Sequence, residues 1–227
     1  MRRDLDELAS LGLVRRTRGG AAAPGTSLTE FPYQVRQQAN RREKRAVAKA
    51  AVEGIVRRGT AVALDSGSTT LEIARALRGF GVTVVTNSLP VISELVGSDC
   101  SVVVVGGTAR ARSLSLIGPV AVRAAEEFHC DVAFVSAPAI TSDTGPMDTD
   151  LEEIEVKRSL LRNAARRYVA VDHSKFGRRA FSKICDLSEL TGIVTDDGAD
   201  EADLVPFREQ GLDVVVGRRG EEVAEAG

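Results

Sequence analysis

A run rich in glycine and hydroxyl groups, Asp65-Ser66-Gly67-Ser68-Thr69-Thr70, stands between an apolar segment and a helical pattern. Between a strand and a helix, a turn of this composition presents backbone N–H groups and hydroxyls at the positive end of the helix, which suits a phosphate or another anion. An ordinary turn in which Ser68 or Thr69 caps the helix explains the run about equally well. Neither G-x-x-x-x-G-K-S/T nor G-x-G-x-x-G occurs, so the usual nucleotide-binding motifs are absent.

Polar turns follow three other apolar runs: Thr86-Asn87-Ser88, Gly106-Gly107 and Asp172-His173-Ser174-Lys175. Ligands of an open α/β sheet bind outside the carboxyl ends of its strands, so we expect these turns to meet the 65–70 run at one crevice. Lys175 suits a ligand phosphate or hydroxyl, and Asp172 suits sugar hydroxyls or the orientation of the lysine, although a plain surface ion pair explains the same two residues. The convergence of several such turns favours a small anionic ligand.

Catalytic and metal-binding patterns are not found in the sequence. His129 and His173 have no metal-ligand spacing to carboxylates or cysteines, and no H-E-x-x-H occurs. Cys100, Cys130 and Cys185 are odd in number and form no C-x-x-C pair, which argues against a disulfide framework or a cysteine-rich zinc site. No Ser-His-Asp arrangement can be recognised in the sequence. Together these observations predict no catalytic residue, no metal and no cofactor.

Alternating strand and helix patterns must position these turns. Short β-branched apolar runs predict strands, and the stretches between most of them predict helices, including one after Asn40, which has capping-box spacing with Glu43. This alternation implies an α/β fold with a mostly parallel sheet and helices on both faces. The predicted strands are 60–64, 82–86, 101–105, 131–135, 168–171, 192–195 and 212–216, and the predicted helices are 40–58, 69–78, 89–96, 119–128 and 150–167.

The 227 residues have an ordinary globular composition, 43% hydrophobic and 27% charged. Apolar runs stop far short of the roughly 20 residues that a membrane span needs, and Met1 precedes charged residues rather than an apolar signal core. These features predict a soluble cytoplasmic protein without a membrane partner. Residues 1–58 carry 13 Lys or Arg against 6 Asp or Glu, whereas the remainder carries 17 against 26. On charge alone, a solvated basic helix over 40–58 is favoured over a nucleic-acid surface.

The amino-terminal residues combine a short helical pattern with arginines. Leu5, Leu8 and Leu11 line one helical face, Gly12 ends the helix, and residues 14–18 suit a basic strand or wing leading to a Gly-Gly pair. The arginines of this strand suit phosphate contacts and solvent equally well.

These motifs together resemble the DeoR family of bacterial transcriptional regulators. RRDLDELASLGLVRRTRGGA is similar to the end of the family's recognition helix and its wing, and DSGSTT, TNS, GG and DHSKFGRRAF are similar to the marks of its effector domain, in the family's order. The resemblance implies a DNA-binding repressor of sugar metabolism genes, acting as a homo-oligomer, whose sensor domain is related to ribose-5-phosphate isomerase and binds a phosphorylated sugar. The implied units are 1–20, a partial winged helix-turn-helix; 21–39, a linker; 40–217, the effector-binding sensor domain; and 218–227, a flexible tail.

The same resemblance implies which residues form each site. Because the chain begins inside the recognition helix, DNA binding by this chain alone is expected to be weak and non-specific. The segment 136–139, Ser-Ala-Pro-Ala, stands where many relatives carry a Gly-containing turn, which is expected to alter one wall of the pocket. The implied DNA contacts are Arg2, Arg3, Arg15, Arg16 and Arg18. The implied effector contacts are Lys44, Asp65, Ser66, Gly67, Ser68, Thr69, Thr70, Thr86, Asn87, Ser88, Gly106, Gly107, Asp150, Glu152, Glu153, Lys157, Asp172 and Lys175.

A sugar-phosphate isomerase of the related fold is the alternative function. Residues 197–201, DGADE, match the letters of the isomerases' catalytic segment, but they follow the sixth predicted strand, whereas the isomerase segment follows an early strand. The strand that should carry the catalytic pair has Asp131 but no second carboxylate to act as general base. We therefore expect a regulator and no enzyme.

Overall fold

The computed structural model describes residues 15–17, 20–22 and 30–220, and its largest sheet has seven strands. Every pair of neighbouring strands in this sheet is parallel. All seven predicted strands are present in it, so the predicted α/β fold class is confirmed. In spatial order the strands are β14 (Asp213–Gly217), β13 (Gly192–Asp196), β11 (Ala164–Ala170), β8 (Cys130–Val135), β3 (Ala61–Leu64), β4 (Thr83–Thr86) and β5 (Ser101–Val104).

Helices cover both faces of the sheet. Because successive side chains of a strand point to opposite faces, Val62 and Leu64 of β3 pack into one hydrophobic core, and Ala63 packs into the other. The first core is covered by α1 (Tyr33–Gln38), α2 (Arg41–Ile55), α3 (Ser68–Leu77) and α4 (Leu89–Leu95), and the second by α5 (Pro119–Glu126), α6 (Leu151–Arg162) and α7 (Glu201–Glu209). Within the described ranges, no helix combines the length and the apolar character that crossing a membrane requires.

Short antiparallel strands complete the described part of the chain. β1 (Arg15–Thr17) pairs with β2 (Gly20–Ala22), in the segment where the sequence predicts a basic strand. β6 (Thr108–Arg110) and β7 (Ser115–Ile117) form a hairpin, and β9 (Ala139–Thr141), β10 (Gly145–Asp148) and β12 (Ser182–Lys183) form a three-stranded sheet. The sequence did not predict β6 to β12 outside the main sheet, because two to four residues are too few to show an alternating pattern.

Two local predictions are wrong. The capping box at Asn40 does not form: Asn40 has a left-handed φ of 49°, and its side-chain amide donates to Asp172 instead of capping α2. The predicted helix 150–167 ends at Arg162, because the residues from Ala164 onward pair with β8 as strand β11. In both places a contact between residues distant in sequence outweighs the local pattern.

Helix α1 lies inside the segment predicted as a linker, 21–39. It packs against α3, and its Tyr33 is 1% exposed within the first core. The main-chain N–H of Tyr33 also donates to the carbonyl oxygen of Arg112, 3.0 Å away. The last part of the predicted linker is therefore docked on the α/β domain.

Candidate functional site

The centre of the sheet contains a switch in chain direction. β3 and β8 are neighbours, yet β3 leads into α3 on one face, whereas the chain after β8 leads to α6 on the other. Such a switch point opens a crevice at the carboxyl ends of the two strands. Asp65 follows β3 and Ser136 follows β8, and the main-chain N–H of Ser136 donates to Asp65 Oδ2 at 3.0 Å. The 65–70 run therefore lies at this crevice.

The Asp65 carboxylate organises that run. Its Oδ1 accepts from the Gly67 N–H at 3.1 Å and from Thr70 Oγ1 at 2.8 Å. A Cβ on Gly67 would lie 1.8 Å from Ser136 Oγ, so only glycine permits this approach. Helix α3 begins at Ser68 without a side-chain cap, so its first N–H groups lack intrahelical partners and can bind an anion.

Lys157 of α6 lies at the centre of a buried charge cluster. Its Nζ is 2.7 Å from Asp65 Oδ2 and 3.0 Å from Asp148 Oδ2, and it donates to the carbonyl oxygen of Ser136 at 2.7 Å. Burial alone would lower the pKa of Lys157, but Asp65 and Asp148 outweigh it and hold the pKa above its ordinary value. Lys157 is therefore a cation that ties the 65–70 run to α6.

Glu153, one turn earlier on α6, forms the next part of the wall. Its carboxylate accepts from Ser66 Oγ at 2.7 Å and from the hydroxyl of Ser115 in β7. Of the two neighbouring glutamates predicted here, Glu153 is buried at the crevice, whereas Glu152 is exposed and is not brought into this group. The N-cap of α6 is Asp150, whose side chain accepts from the Glu153 N–H.

A second polar group surrounds Asp172, which follows β11 and is completely buried. Its Oδ1 accepts from Asn40 Nδ2 at 2.9 Å and from the Ser174 N–H at 3.1 Å, and Lys175 Nζ lies 3.8 Å from its Oδ2. Burial acts to raise the pKa of Asp172, but Lys175 and the hydrogen bonds from Ser174 and Asn40 hold the pKa below its ordinary value.

Lys44 of α2 lies in the electrostatic field of this second group. Burial lowers the pKa of Lys44 to about 8, although Asp172 acts in the opposite direction. Its ammonium donates to the carbonyl oxygens of Arg36 and Ala39, at the end of α1. Burial likewise lowers the pKa of Lys175. In both lysines, burial thus disfavours the charged form of the side chain.

The other predicted turns are engaged in structural contacts. Thr86 donates to a main-chain carbonyl of β3, Asn87 donates to one of β7, and Ser88 caps α4. Gly106 and Gly107 have φ angles of 68° and 114°, and a Cβ on Gly107 would lie 2.6 Å from a main-chain oxygen of β7. Among these residues, Asn87 and Gly107 contact β7 and so hold the β6–β7 hairpin beside the end of the sheet.

Sequence reasoning did not name Asp148, Ser115 or Asn40 as site residues, and it gave Ser136 only as part of an altered pocket wall. Ser136 comes just after a predicted strand, the same signal that found Asp65, whereas Asp148 ends β10, which is too short to be predicted. Ser115 and Asn40 carry no such signal, because a hairpin and a left-handed turn bring them into place.

The predicted DNA contacts lie at the start of the chain. Arg15 and Arg16 belong to β1, whereas Arg2, Arg3 and Arg18 lie outside the described residues. Across residues 30–220 and the two short amino-terminal strands, no group of three His, Cys, Asp or Glu side chains could hold a metal ion.

A parallel sheet covered on both faces, with buried polar groups at its switch point, defines a ligand-binding α/β domain, a class that serves enzymes and sensors alike. Residues 39–197 match the family described as the DeoR C terminal sensor domain. The chain belongs to the DeoR family of transcriptional regulators.

Two curated relatives agree with this assignment. The chain is 35% identical to the HTH-type transcriptional regulator GlpR of Haloferax volcanii, over 96% of this chain and 85% of the relative. It is 33% identical to the glycerol-3-phosphate regulon repressor of Escherichia coli, over 86% of this chain and 78% of the relative. Among solved structures, ribose 5-phosphate isomerase A of Methanocaldococcus jannaschii aligns over 60% of this chain and 55% of its own, at 21% identity and a TM-score of 0.45.

These curated relatives are named as transcriptional regulators. The predicted function of a regulator is therefore confirmed, and the isomerase alternative is not. The acidic residues compared above with the catalytic segment of the isomerases have other contacts and positions in this structure. Asp197 pairs with Arg219, and Asp200 precedes α7. Asp131 accepts from the Ala61 N–H at 2.8 Å, at the amino end of β3, opposite the crevice.

Proposed function

We propose that this chain is a repressor of sugar metabolism genes whose control ligand is a phosphorylated sugar bound at the β3–β8 crevice. The observation that carries the proposal is the uncapped first turn of α3, which lies beside a wall of buried carboxylates. The relative named as a glycerol-3-phosphate regulon repressor supports a small phosphorylated ligand.

The ligand phosphate would bind at the first turn of α3. The N–H groups of Ser68 and Thr69 belong to this turn, and the partial positive charge of a helix amino terminus stabilises an anion there. We expect Lys44 and Lys175 to supply further positive charge to the ligand, since a phosphate would offset the burial that lowers their pKa values.

The sugar hydroxyls would bind to carboxylates. Glu153 and Asp172 are buried acceptors, and an ionised carboxylate has no hydrogen to donate. Asp172 Oδ2 has no hydrogen-bond partner among the described residues, and its nearest cation is 3.8 Å away. Asp172 Oδ2 therefore lacks a donor, and a sugar hydroxyl would supply one.

Phosphorylated sugars should stabilise the protein against heat, whereas their unphosphorylated parents should not. A ligand at 100 times its dissociation constant adds about 2.7 kcal/mol to the free energy of unfolding. For a domain of this size that raises Tm by roughly 5–10 °C. A thermal-shift panel of glucose, fructose and glycerol, each with and without phosphate, measures the difference. Equal shifts for a sugar and its phosphate would contradict the proposal.

The DNA contacts proposed for the amino-terminal arginines predict a change in salt dependence. Replacing Arg15, Arg16 and Arg18 by Ala should reduce the slope of log affinity against log salt by roughly 2.7, because each neutralised phosphate contributes about 0.9. Fluorescence anisotropy with a labelled promoter duplex at several salt concentrations measures this slope. The matched control replaces three exposed arginines of the sensor domain, Arg162, Arg179 and Arg208, by Ala. An equal loss in both triple variants would refute a specific role for the wing.

The localisation, the oligomeric state and two further DNA contacts are also proposed. A regulator of this type would act in the cytoplasm as a homo-oligomer, with Arg2 and Arg3 as further DNA contacts. Sedimentation of the full chain with and without the sugar phosphates tests the oligomer directly.

A further inference from the structure

Residues 30–40, which we call the strap, connect the amino-terminal strands to the α/β domain and are anchored at their start beside the candidate site. The Glu30 carboxylate binds the Arg110 guanidinium through two hydrogen bonds of 2.6 and 2.8 Å. The same guanidinium lies 2.9 Å from Asp150 Oδ2. Since Asp150 caps the helix that carries Glu153 and Lys157, this anchor belongs to the wall of the crevice.

The end of the strap is anchored at the second polar group. Asn40 donates to Asp172 Oδ1 and to Ser174 Oγ at 2.9 and 3.0 Å. This contact holds Asn40 in a left-handed conformation that non-glycine residues seldom adopt. Lys44 secures the preceding turn by donating to two strap carbonyls, those of Arg36 and Ala39. Both ends of the strap are thus bound to groups of the candidate site.

Tyr33 lies between the anchors and has an unusual hydroxyl. The side chain is 1% exposed, and its Oη has no hydrogen-bond partner among the described residues. Burial raises the pKa of Tyr33, and the carboxylates of Glu72 and Asp65 add to the rise while Arg36 and Arg75 oppose it. Helix α1 packs against α3, and Tyr33 shares the first core with Leu71 in the first turn of α3, which is the proposed phosphate position.

A buried hydroxyl without a partner is rare because it forfeits its hydrogen bonds to water without replacement. Lys44 is in a comparable position, because its buried ammonium donates to neutral carbonyl oxygens and an anionic acceptor would add the attraction of opposite charges. Both groups favour an acceptor that carries negative charge, and both belong to or hold the strap.

We propose that the strap is a wall of the effector site, in which the Tyr33 hydroxyl and the Lys44 ammonium contact the phosphorylated ligand, so that ligand binding changes how the strap is held. This inference rests on the proposed function. Because the strap follows β1 and β2 in the chain, a change in how it is held would alter how those strands are presented to DNA. Such coupling requires that ligand and DNA prefer different strap arrangements, and it is reciprocal in affinity.

The two tyrosines of the chain provide a matched test. Tyr33→Phe removes the unpartnered hydroxyl, so the affinity for the sugar phosphate that stabilises the wild type most should fall about tenfold, with no loss of Tm in the ligand-free protein. Tyr168→Phe removes a hydroxyl that donates to Asp213 at 3.1 Å, so Tm should fall while affinity stays within twofold. Isothermal titration calorimetry gives the affinities, and calorimetric scans give Tm.

Hydrogen exchange tests the strap itself. Saturating sugar phosphate should change the exchange rates of amides in residues 30–40 of the full chain by at least threefold, with a smaller change in Tyr33→Phe at the same ligand concentration. Wild-type affinity in Tyr33→Phe, or unchanged strap exchange at saturation, would overturn this inference while leaving the proposed function intact. No stabilisation of the wild type by any sugar phosphate would instead overturn the proposed function and this inference with it.

Discussion

Replacement of Lys157 by Met should lower the free energy of unfolding by about 3–5 kcal/mol, because it leaves two buried carboxylates without their cation. Asp65 is 0% and Asp148 is 8% exposed, and both lie within 3.0 Å of the lysine. Methionine fills a similar volume without charge, so the loss measures the charge cluster rather than a cavity. Urea denaturation at neutral pH gives the free energy of unfolding.

A triple variant serves as the control for this effect. Lys157→Met combined with Asp65→Asn and Asp148→Asn removes all three charges, and replacement of a whole buried ion cluster is often nearly neutral. The triple variant should therefore recover much of the stability lost by Lys157→Met alone. A loss below about 1 kcal/mol in the single variant would mean that water or a rearrangement relieves the unpaired carboxylates.

Ser68→Asp should reduce the affinity for phosphorylated sugars at least a hundredfold. A carboxylate in the first turn of α3 interacts favourably with the helix dipole, typically by about 0.3–1 kcal/mol, yet it occupies the proposed phosphate position with a like charge. Because Ser68 is 6% exposed, the loss of hydration of the new carboxylate opposes this gain, and Tm of ligand-free Ser68→Asp should fall below that of ligand-free Ser68→Asn. Titration calorimetry with the sugar phosphates measures the loss of affinity.

Ser68→Asn is the matched control because it has nearly the same shape as aspartate and no charge. It should lose much less affinity than Ser68→Asp, since only repulsion of the phosphate distinguishes the two variants. If the two variants bind equally, the phosphate lies elsewhere in the crevice, and the first turn of α3 is an ordinary helix start.

The main sheet could be predicted from the sequence because each strand is a short β-branched run between polar turns. Where the prediction failed, a partner distant in sequence decided the structure. The amide of Asn40 is taken by Asp172, and the residues after Arg162 pair with β8 rather than continuing α6. Neither contact can be recognised from the local sequence pattern.

The candidate site was predictable to a similar degree. Asp65, Glu153, Lys157 and Asp172 do gather at the carboxyl ends of strands, as parallel topology requires. Thr86 and Ser88 have the same kind of position, yet they serve hydrogen bonds of the backbone. Sequence alone does not distinguish a strand-end hydroxyl that binds a ligand from one that binds a carbonyl, because both uses require the same residue type.

The switch point between β3 and β8 has a consequence for the order of synthesis. A nascent chain completes β3, β4 and β5 with the anion-seeking turn before β8 and α6 have left the ribosome. Until Ser136 and Lys157 emerge, Asp65 Oδ2 lacks both the N–H group and the cation that it binds in the folded protein, so the crevice has one side only. Ligand recognition at the proposed site would thus be a late event in the biogenesis of this protein, and its appearance during translation would mark the moment at which the two halves of the sheet join.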